Sequence, residues 1–271
     1  DRRDMISEFA ITEWSSVVPW KEKEQVEQDL LICRALTEIY KDEYLATHLA
    51  FRGGTALHKL YLQPQPRYSE DIDLVQVTAE PIKETYIHLR QALAFLGEPV
   101  VKQKRHNNTL LFRVQSEGLP SVPLHIKVEI NCKEHFSILP LVKVPFKVEN
   151  MWYKGEAELL TYQLDELIGT KLRALYQRRK GRDLFDLYQA LTLADLNVEN
   201  VLRAYNEYMD FVVESKPTYK QFMQNMTDKM QDPEFLGDTE GLLRYGQTFD
   251  PVRAFELVKT TFIDQLPGRR D

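Results

Sequence analysis

An α+β protein is what this sequence predicts: a mixed-sheet domain with an N-terminal helix over residues 1–155, then an all-helical domain over residues 156–271. Three observations predict it. Residues 100–131 hold short runs of alternating polar and apolar residues separated by turn residues, the period of half-buried strands. From about Tyr153 onward, apolar residues instead recur every three or four positions, the period of amphipathic helices. Between residues 49 and 77, an apolar run, a glycine pair, a helical pattern and a second strand pattern follow one another, a strand–turn–helix–strand unit. A chain of 271 residues is long enough to bury a core in each of two domains.

Residues 1–19 are a weakly patterned lead-in ending at Pro19. Val26, Leu30, Ala35, Ile39 and Tyr40 then fall at helical spacing among Glu, Gln and Lys, which predicts a helix over 21–46. Leu49, Ala50 and Phe51 read as a strand, Gly53-Gly54 as a tight turn, and Ala56, Leu57, Leu60 and Tyr61 as a short helix to Leu62. The segment Gln63-Pro64-Gln65-Pro66 cannot continue that helix, so it is a loop. It leads into a strand over 71–77. Pro81 suits the first turn of a helix that Gly97 stops near Leu96. Strands are expected at 100–104, 110–115, 124–131 and 144–148, with turns at Asn107-Asn108 and residues 118–120. Helices are expected at 159–179, 183–193, 198–213, 219–230 and 252–266, with a loop across 232–250.

The chemistry concentrates in residues 52–73. A turn that hands a strand to a helix presents unpaired N–H groups and the positive end of a helix dipole, which suits a phosphate. Gly53, Gly54 and Thr55 occupy that turn, and the Thr55 hydroxyl can cap the helix or bond a phosphate oxygen. Asp71 and Asp73 flank Ile72, so on a strand both carboxylates share one face. Their repulsion is relieved by a divalent cation, and Mg²⁺ commonly bridges carboxylates and substrate phosphates. Glu129 lies on the polar face of the 124–131 strand. It joins Asp71 and Asp73 as a third carboxylate if those strands are neighbours, and is otherwise solvent-facing. Arg67 is a further phosphate contact by charge, and Ser69 is either a strand-entry hydroxyl or a target for modification.

A second constellation lies at residues 171–186. Lys171, Arg173, Arg178, Arg179, Lys180 and Arg182 follow one another with no acid among them, and Asp183 and Asp186 come next. Lys171 can hold the β- and γ-phosphates of a nucleotide, while the remaining cations meet a nucleic-acid backbone or stay in solvent. Asp183 and Asp186 either serve the site or merely cap a helix and pair with Arg182. A lone glycine turn, a lone carboxylate pair or a lone basic run is usually structural; their combination in one unit favours the functional reading. His58, His106, His125 and His135 show no metal-ligand pairing.

Composition limits the alternatives. Hydrophobic residues at 43% and charged residues at 28% are those of an ordinary soluble globular protein. No apolar run is long enough to cross a membrane, the first ten residues lack a signal-peptide core, and Cys33 and Cys132 lack metal-ligand spacing, so a cytoplasmic protein is expected. The net charge of −6 argues against wholesale nonspecific binding of nucleic acid and leaves room for a local basic patch.

The motif series FRGGTALHKLY, RYSEDIDL, KVEIN and KLRALYQRRKGRDLFDLYQAL, over residues 50–193, resembles that of the AbiEii-type toxin nucleotidyltransferases of the DNA polymerase β-like superfamily. The resemblance implies a nucleotidyltransferase-like sheet domain and the toxin half of a bacterial toxin–antitoxin or phage-defence pair. Such a toxin transfers a nucleotide from an NTP to RNA, the acceptor end of tRNA in several members, and blocks translation. By motif, Gly53, Gly54 and Thr55 contact phosphates, Asp71 and Asp73 hold Mg²⁺ (two ions), Lys171 holds the triphosphate, and Asp183 or Asp186 is a further essential acid. Ser69 stands where some members are restrained by phosphorylation, and a cognate antitoxin is the implied protein partner. Two departures stand out: Thr55 follows a double glycine in place of the usual Gly-Ser, and the 63–66 loop lengthens the spacing to Asp71. The rivals are a small-molecule (aminoglycoside-type) nucleotidyltransferase, a phosphatase with an Asp-x-Asp nucleophile, and a non-catalytic toxin–antitoxin interaction protein.

Overall fold

The structure is a computed structural model describing residues 6–118 and 120–269. The first five residues of the lead-in, residue 119 of the 118–120 turn, and residues 270–271 lie outside the described residues. The chain divides into two compact units, the first made of residues up to Leu60 with Tyr68–Tyr162, the second of Tyr61–Arg67 with the residues from Gln163 onward.

In the first unit the elements run α1 (Glu8–Ser15), α2 (Lys23–Lys41), α3 (Glu43–His48), β1 (Leu49–Arg52), α4 (Gly53–Leu60), β2 (Ile72–Gln76) and α5 (Lys83–Ala92). The strands β3 (Val100–Lys104), β4 (Asn107–Gln115), β5 (Pro123–Asn131), β6 (Val142–Glu149) and β7 (Lys154–Thr161) follow. The seven strands form one sheet in the order β3-β4-β5-β2-β1-β7-β6. It is mixed: β2–β5 and β1–β7 are parallel and the other pairs antiparallel. Leu124, Ile126, Val128 and Ile130 of β5 point to the buried face, where α2 packs across β5, β6 and β7. Each such side chain contributes roughly 1.5–3 kcal/mol by leaving water. The residues between them, His125, Lys127, Glu129 and Asn131, stand on the open face.

Several expectations change in detail. The lead-in contains α1, capped by the Ser7 hydroxyl on the Ala10 N–H. The helix expected over 21–46 is broken at Asp42, whose carboxylate accepts from the Leu45 N–H and starts α3. Asn107-Asn108 is not a turn; both residues pair with β3 as the start of β4. Lys154–Thr161, whose end was expected to open a helix, is strand β7, whose large apolar residues, Leu159 and Leu160, are adjacent rather than alternating, so helical spacing misreads it. The expected domain boundary at residue 155 runs through that strand.

The second unit contains α6 (Leu164–Gln177), α7 (Gly181–Leu193), α8 (Val198–Val212), α9 (Tyr219–Lys229), α10 (Pro233–Leu236) and α11 (Pro251–Thr261). The α10 turn lies inside the expected 232–250 loop, begun by Asp232 as cap and Pro233 at its first position. Helix α6 packs against α7 and α8. Gly169 permits the close approach to α8, because a Cβ there would lie 2.6 Å from that of Ala204. The segment from Tyr61 to Arg67 joins this unit through a bridge between Arg67 and Leu243.

Candidate active site

In the first unit, β1 delivers Arg52 into Gly53, and α4 begins at Gly53 itself. Gly53 has φ +87°, a left-handed conformation that side chains with a Cβ rarely adopt. A second requirement makes glycine necessary there: a Cβ at Gly53 would collide with the carboxylate of Asp73. The turn and the acid therefore converge on one place. The sheet explains how, because β1 and β2 pair antiparallel with Arg52 opposite Asp73.

On the other side of β2, β5 runs parallel with Glu129 beside Asp73. Ile72 is fully buried between Asp71 and Asp73, so both carboxylates stand on the open face together with Glu129. Glu129 is held by Lys127, whose Nζ lies 2.7 Å from its Oε1. The Lys127 ammonium is raised above its ordinary value, first by that hydrogen bond and then by the nearby charges of Glu129, Asp71 and Asp73. Thr55 and Ser69 face each other with hydroxyls 2.7 Å apart, both buried. Ser69 is thereby tied to the glycine turn.

The turn is anchored from below. Lys59 of α4 donates to Asp29 of α2 at 2.6 Å, and Asp29 also accepts from the indole N–H groups of Trp14 and Trp20 at 3.0 and 2.9 Å. Asp29 is fully buried. Burial alone would lower Lys59, and the Asp29 carboxylate more than reverses this, so the ammonium is raised. Sequence reading missed Asp29, Lys59 and Lys127. A single acid just ahead of the apolar run 30–33 is a signal for a buried pair, but nothing in it names the partner thirty residues away.

In the second unit, Lys171, Asp183 and Asp186 do come together. Lys171 Nζ lies 3.3 Å from Asp183 Oδ1 and 3.0 Å from Asp186 Oδ2. Arg67 grips Asp186 with Nε and Nη2, each at 2.7 Å, and Arg178 grips Asp183 in the same bidentate way. Both aspartates are fully buried. Arg182 bonds Asp238 at 2.8 Å. Arg179 in turn pairs with Asp232 at 3.0 Å. The basic run, which could meet a nucleic-acid backbone or stay in solvent, is thus largely matched by acids of its own unit, and Arg67 is buried in its pair with Asp186.

Whether Asp71 and Asp73 suit a divalent metal depends on the donor set. Among the described residues, no group of three His, Cys, Asp or Glu is close enough to cage an ion. Mg²⁺ does not require one, because it takes one or two carboxylates from a protein and fills its octahedron with phosphates and water. Two carboxylates on one face, against a turn of phosphate-binding geometry, fit that demand.

A strand–glycine–helix cradle facing carboxylates on the neighbouring strand is the layout of a phosphoryl- or nucleotidyl-transfer protein. Residues 34–257 match the family described as "Nucleotidyl transferase AbiEii toxin, Type IV TA system", and the chain belongs to that family. In fold it is similar to MenT4, a nucleotidyltransferase toxin from Mycobacterium tuberculosis H37Rv, at TM-score 0.66 and 16% identity, covering 97% of this chain and 91% of that one. It is also similar to a crystal structure of a nucleotidyltransferase from H. pylori at TM-score 0.48 and 18% identity, covering 87% and 92% of the respective chains. No curated protein matches it in sequence. No helix among the described residues is long and apolar enough to cross a membrane.

Proposed function

We propose that this nucleotidyltransferase-family protein transfers a nucleotide from an NTP to an RNA acceptor, the 3′ end of tRNA by family resemblance, and so inhibits translation in the cytoplasm. The observation that carries the reading is the convergence of Gly53 and Asp73. The N–H groups of the Gly53–Thr55 turn bind and orient the β- and γ-phosphates, and the helix dipole of α4 favours their charge. Asp71 and Asp73, with Glu129 as a further carboxylate, would hold Mg²⁺, which supplies charge neutralisation and a more acidic acceptor hydroxyl. These side chains place the α-phosphorus and the attacking oxygen in line, with pyrophosphate leaving. For Lys171 we propose the role its motif implies, neutralising the triphosphate, with Asp183 and Asp186 fixing its ammonium. The Thr55–Ser69 hydroxyl pair makes phosphorylation of Ser69 a means of restraint, because a phosphate there would fill the cradle's side of α4 with negative charge. A cognate antitoxin is the proposed genetic partner.

The test is incubation with each labelled NTP, Mg²⁺ and total RNA, followed by gel separation. Label appearing in a discrete RNA band supports the proposal. Label transferred instead to an aminosugar, or release of phosphate without transfer, would replace it.

A further inference from the structure

The open face of the first unit's sheet carries a pattern that the metal and triphosphate roles do not use. Strand register sets one row across it: Lys102 on β3, Thr109 on β4, Glu129 on β5, Asp73 on β2 and Arg52 on β1. The adjacent row holds Val100, Leu111 and Lys127, with Asp71 just before β2 at its end. The next cross-strand pair is Arg113 with His125, whose side chains meet at 3.3 Å. Among the described residues of β3, β4 and β5, the Lys and Arg side chains on this face are Lys102, Lys104, Arg113 and Lys127, and the acid is Glu129. Acids are thus confined to the carboxylate site, and cations run from it to the sheet edge.

Beside Asp71 and Glu70 the face dips into a cleft of about 400 Å³, floored by Leu111, Pro123 and Leu124 and edged by His125 and Lys127. The cleft exists because β2 begins only at Ile72. Next to His125, β5 therefore lacks a strand neighbour on its β2 side, and the His125 carbonyl accepts from the Gln28 amide at 2.7 Å. Farther out Val100 is 60% exposed, an apolar surface at the start of the edge strand, ahead of Lys102 and Lys104. Cations beside accessible apolar side chains suit a single strand of nucleic acid, whose phosphates need the first and whose bases need the second.

We propose that the open face of β3–β4–β5 is the acceptor track. The terminal nucleotide of a single-stranded RNA end sits in the Leu111–Pro123 cleft beside Asp71, and the preceding phosphates lie along Lys127, Arg113 and Lys102. From Asp71 just before β2 to Lys102 on β3 the track crosses three strand spacings of about 4.8 Å, roughly 14 Å. It enters the carboxylate site from the Asp71 side, whereas Gly53 faces Asp73, so acceptor and NTP approach from different sides. The inference rests on the transferase reading for its acceptor.

The experiment is fluorescence anisotropy of the full chain with a 5′-labelled single-stranded RNA of about ten nucleotides bearing a free 3′ hydroxyl, without NTP. Lys127→Met should weaken binding about tenfold, and Lys127→Arg should restore it. Arg113→Gln with Lys102→Gln should weaken it further and lower the salt slope by about 0.7 for each phosphate no longer neutralised. Arg179→Gln, in the ion-paired run of the second unit, should leave affinity unchanged. Circular dichroism melts of each variant distinguish weaker RNA binding from unfolding. No RNA binding by the wild type, unchanged affinity in the first-unit variants, or an equal loss in Arg179→Gln would overturn the assignment. Lys127-dependent binding without nucleotide transfer would uphold the track and remove the transferase reading. Efficient transfer to RNA with Lys127-independent binding would do the reverse.

Discussion

The molecule holds its charges in two contrasting ways. In the first unit, Asp71, Asp73 and Glu129 share an open face, and Lys127 is the cation bonded to Glu129 there. In the second unit, Asp183 and Asp186 are fully buried and gripped by Lys171, Arg67 and Arg178. Carboxylates gathered on an accessible face repel one another, and a cation drawn to that face relieves the repulsion. Carboxylates sealed with fitted guanidinium partners hold a structure in one arrangement. Removing one partner there is expensive, because the other charge stays buried. The same residue type therefore stands on an accessible face in one unit and inside a buried ion network in the other.

The contrast can be broken by matched substitutions. Asp73→Ala should remove several kcal/mol of transition-state stabilisation, a loss of more than about a hundredfold in transfer, with the fold retained in a thermal melt. A labelled-NTP assay beside a thermal melt checks this, and wild-type transfer by that variant would defeat the metal assignment. Asp186→Ala should show the opposite balance, losing about 3–5 kcal/mol of stability by stranding Arg67 and Lys171. A urea titration with a shift below about 1 kcal/mol would show that the second unit's ion network is not structural.

Gly53→Ala lies between the two. Its positive φ should cost about 1–2 kcal/mol, while the Cβ pressed on Asp73 should abolish nucleotide binding, measured by calorimetry with a non-hydrolysable NTP. The smallest effect concerns Asp238. Burial alone would raise its carboxyl, and the Arg182 guanidinium and N–H more than reverse this, so it is held below its ordinary 3.8. A depressed folded value means stability that is complete above 3.8 and lost as pH falls through the lower folded value. Asp238→Asn should flatten that part of the acid-unfolding curve, and an unchanged curve would count against the pairing.

Much of this was legible in residue order. The period of two in residues 124–131 marked β5, and the glycine pair between an apolar run and a helical pattern marked the turn. Asp71 and Asp73 could be placed on one face because alternation on a strand is a local property. Less legible was β7, since its large apolar residues, Leu159 and Leu160, are adjacent rather than alternating. The fate of the basic run was also hidden: its acidic partners Asp232 and Asp238 lie more than fifty residues downstream. Lys59 with Asp29 was invisible for the same reason, since an ion pair between helices leaves no spacing to read.

The sequence by itself determined the local chemistry: a turn only glycine can make, carboxylates two residues apart, and the family to which that order of motifs belongs. Tertiary structure decided which charges face one another. Strand register set Glu129 beside Asp73 and Lys102 on the same row, while helix packing sealed Arg67 and Lys171 against buried acids. The physical reason is that side-chain direction follows from nearest neighbours in the chain, whereas neutralisation depends on which distant charge the fold brings within a few ångströms.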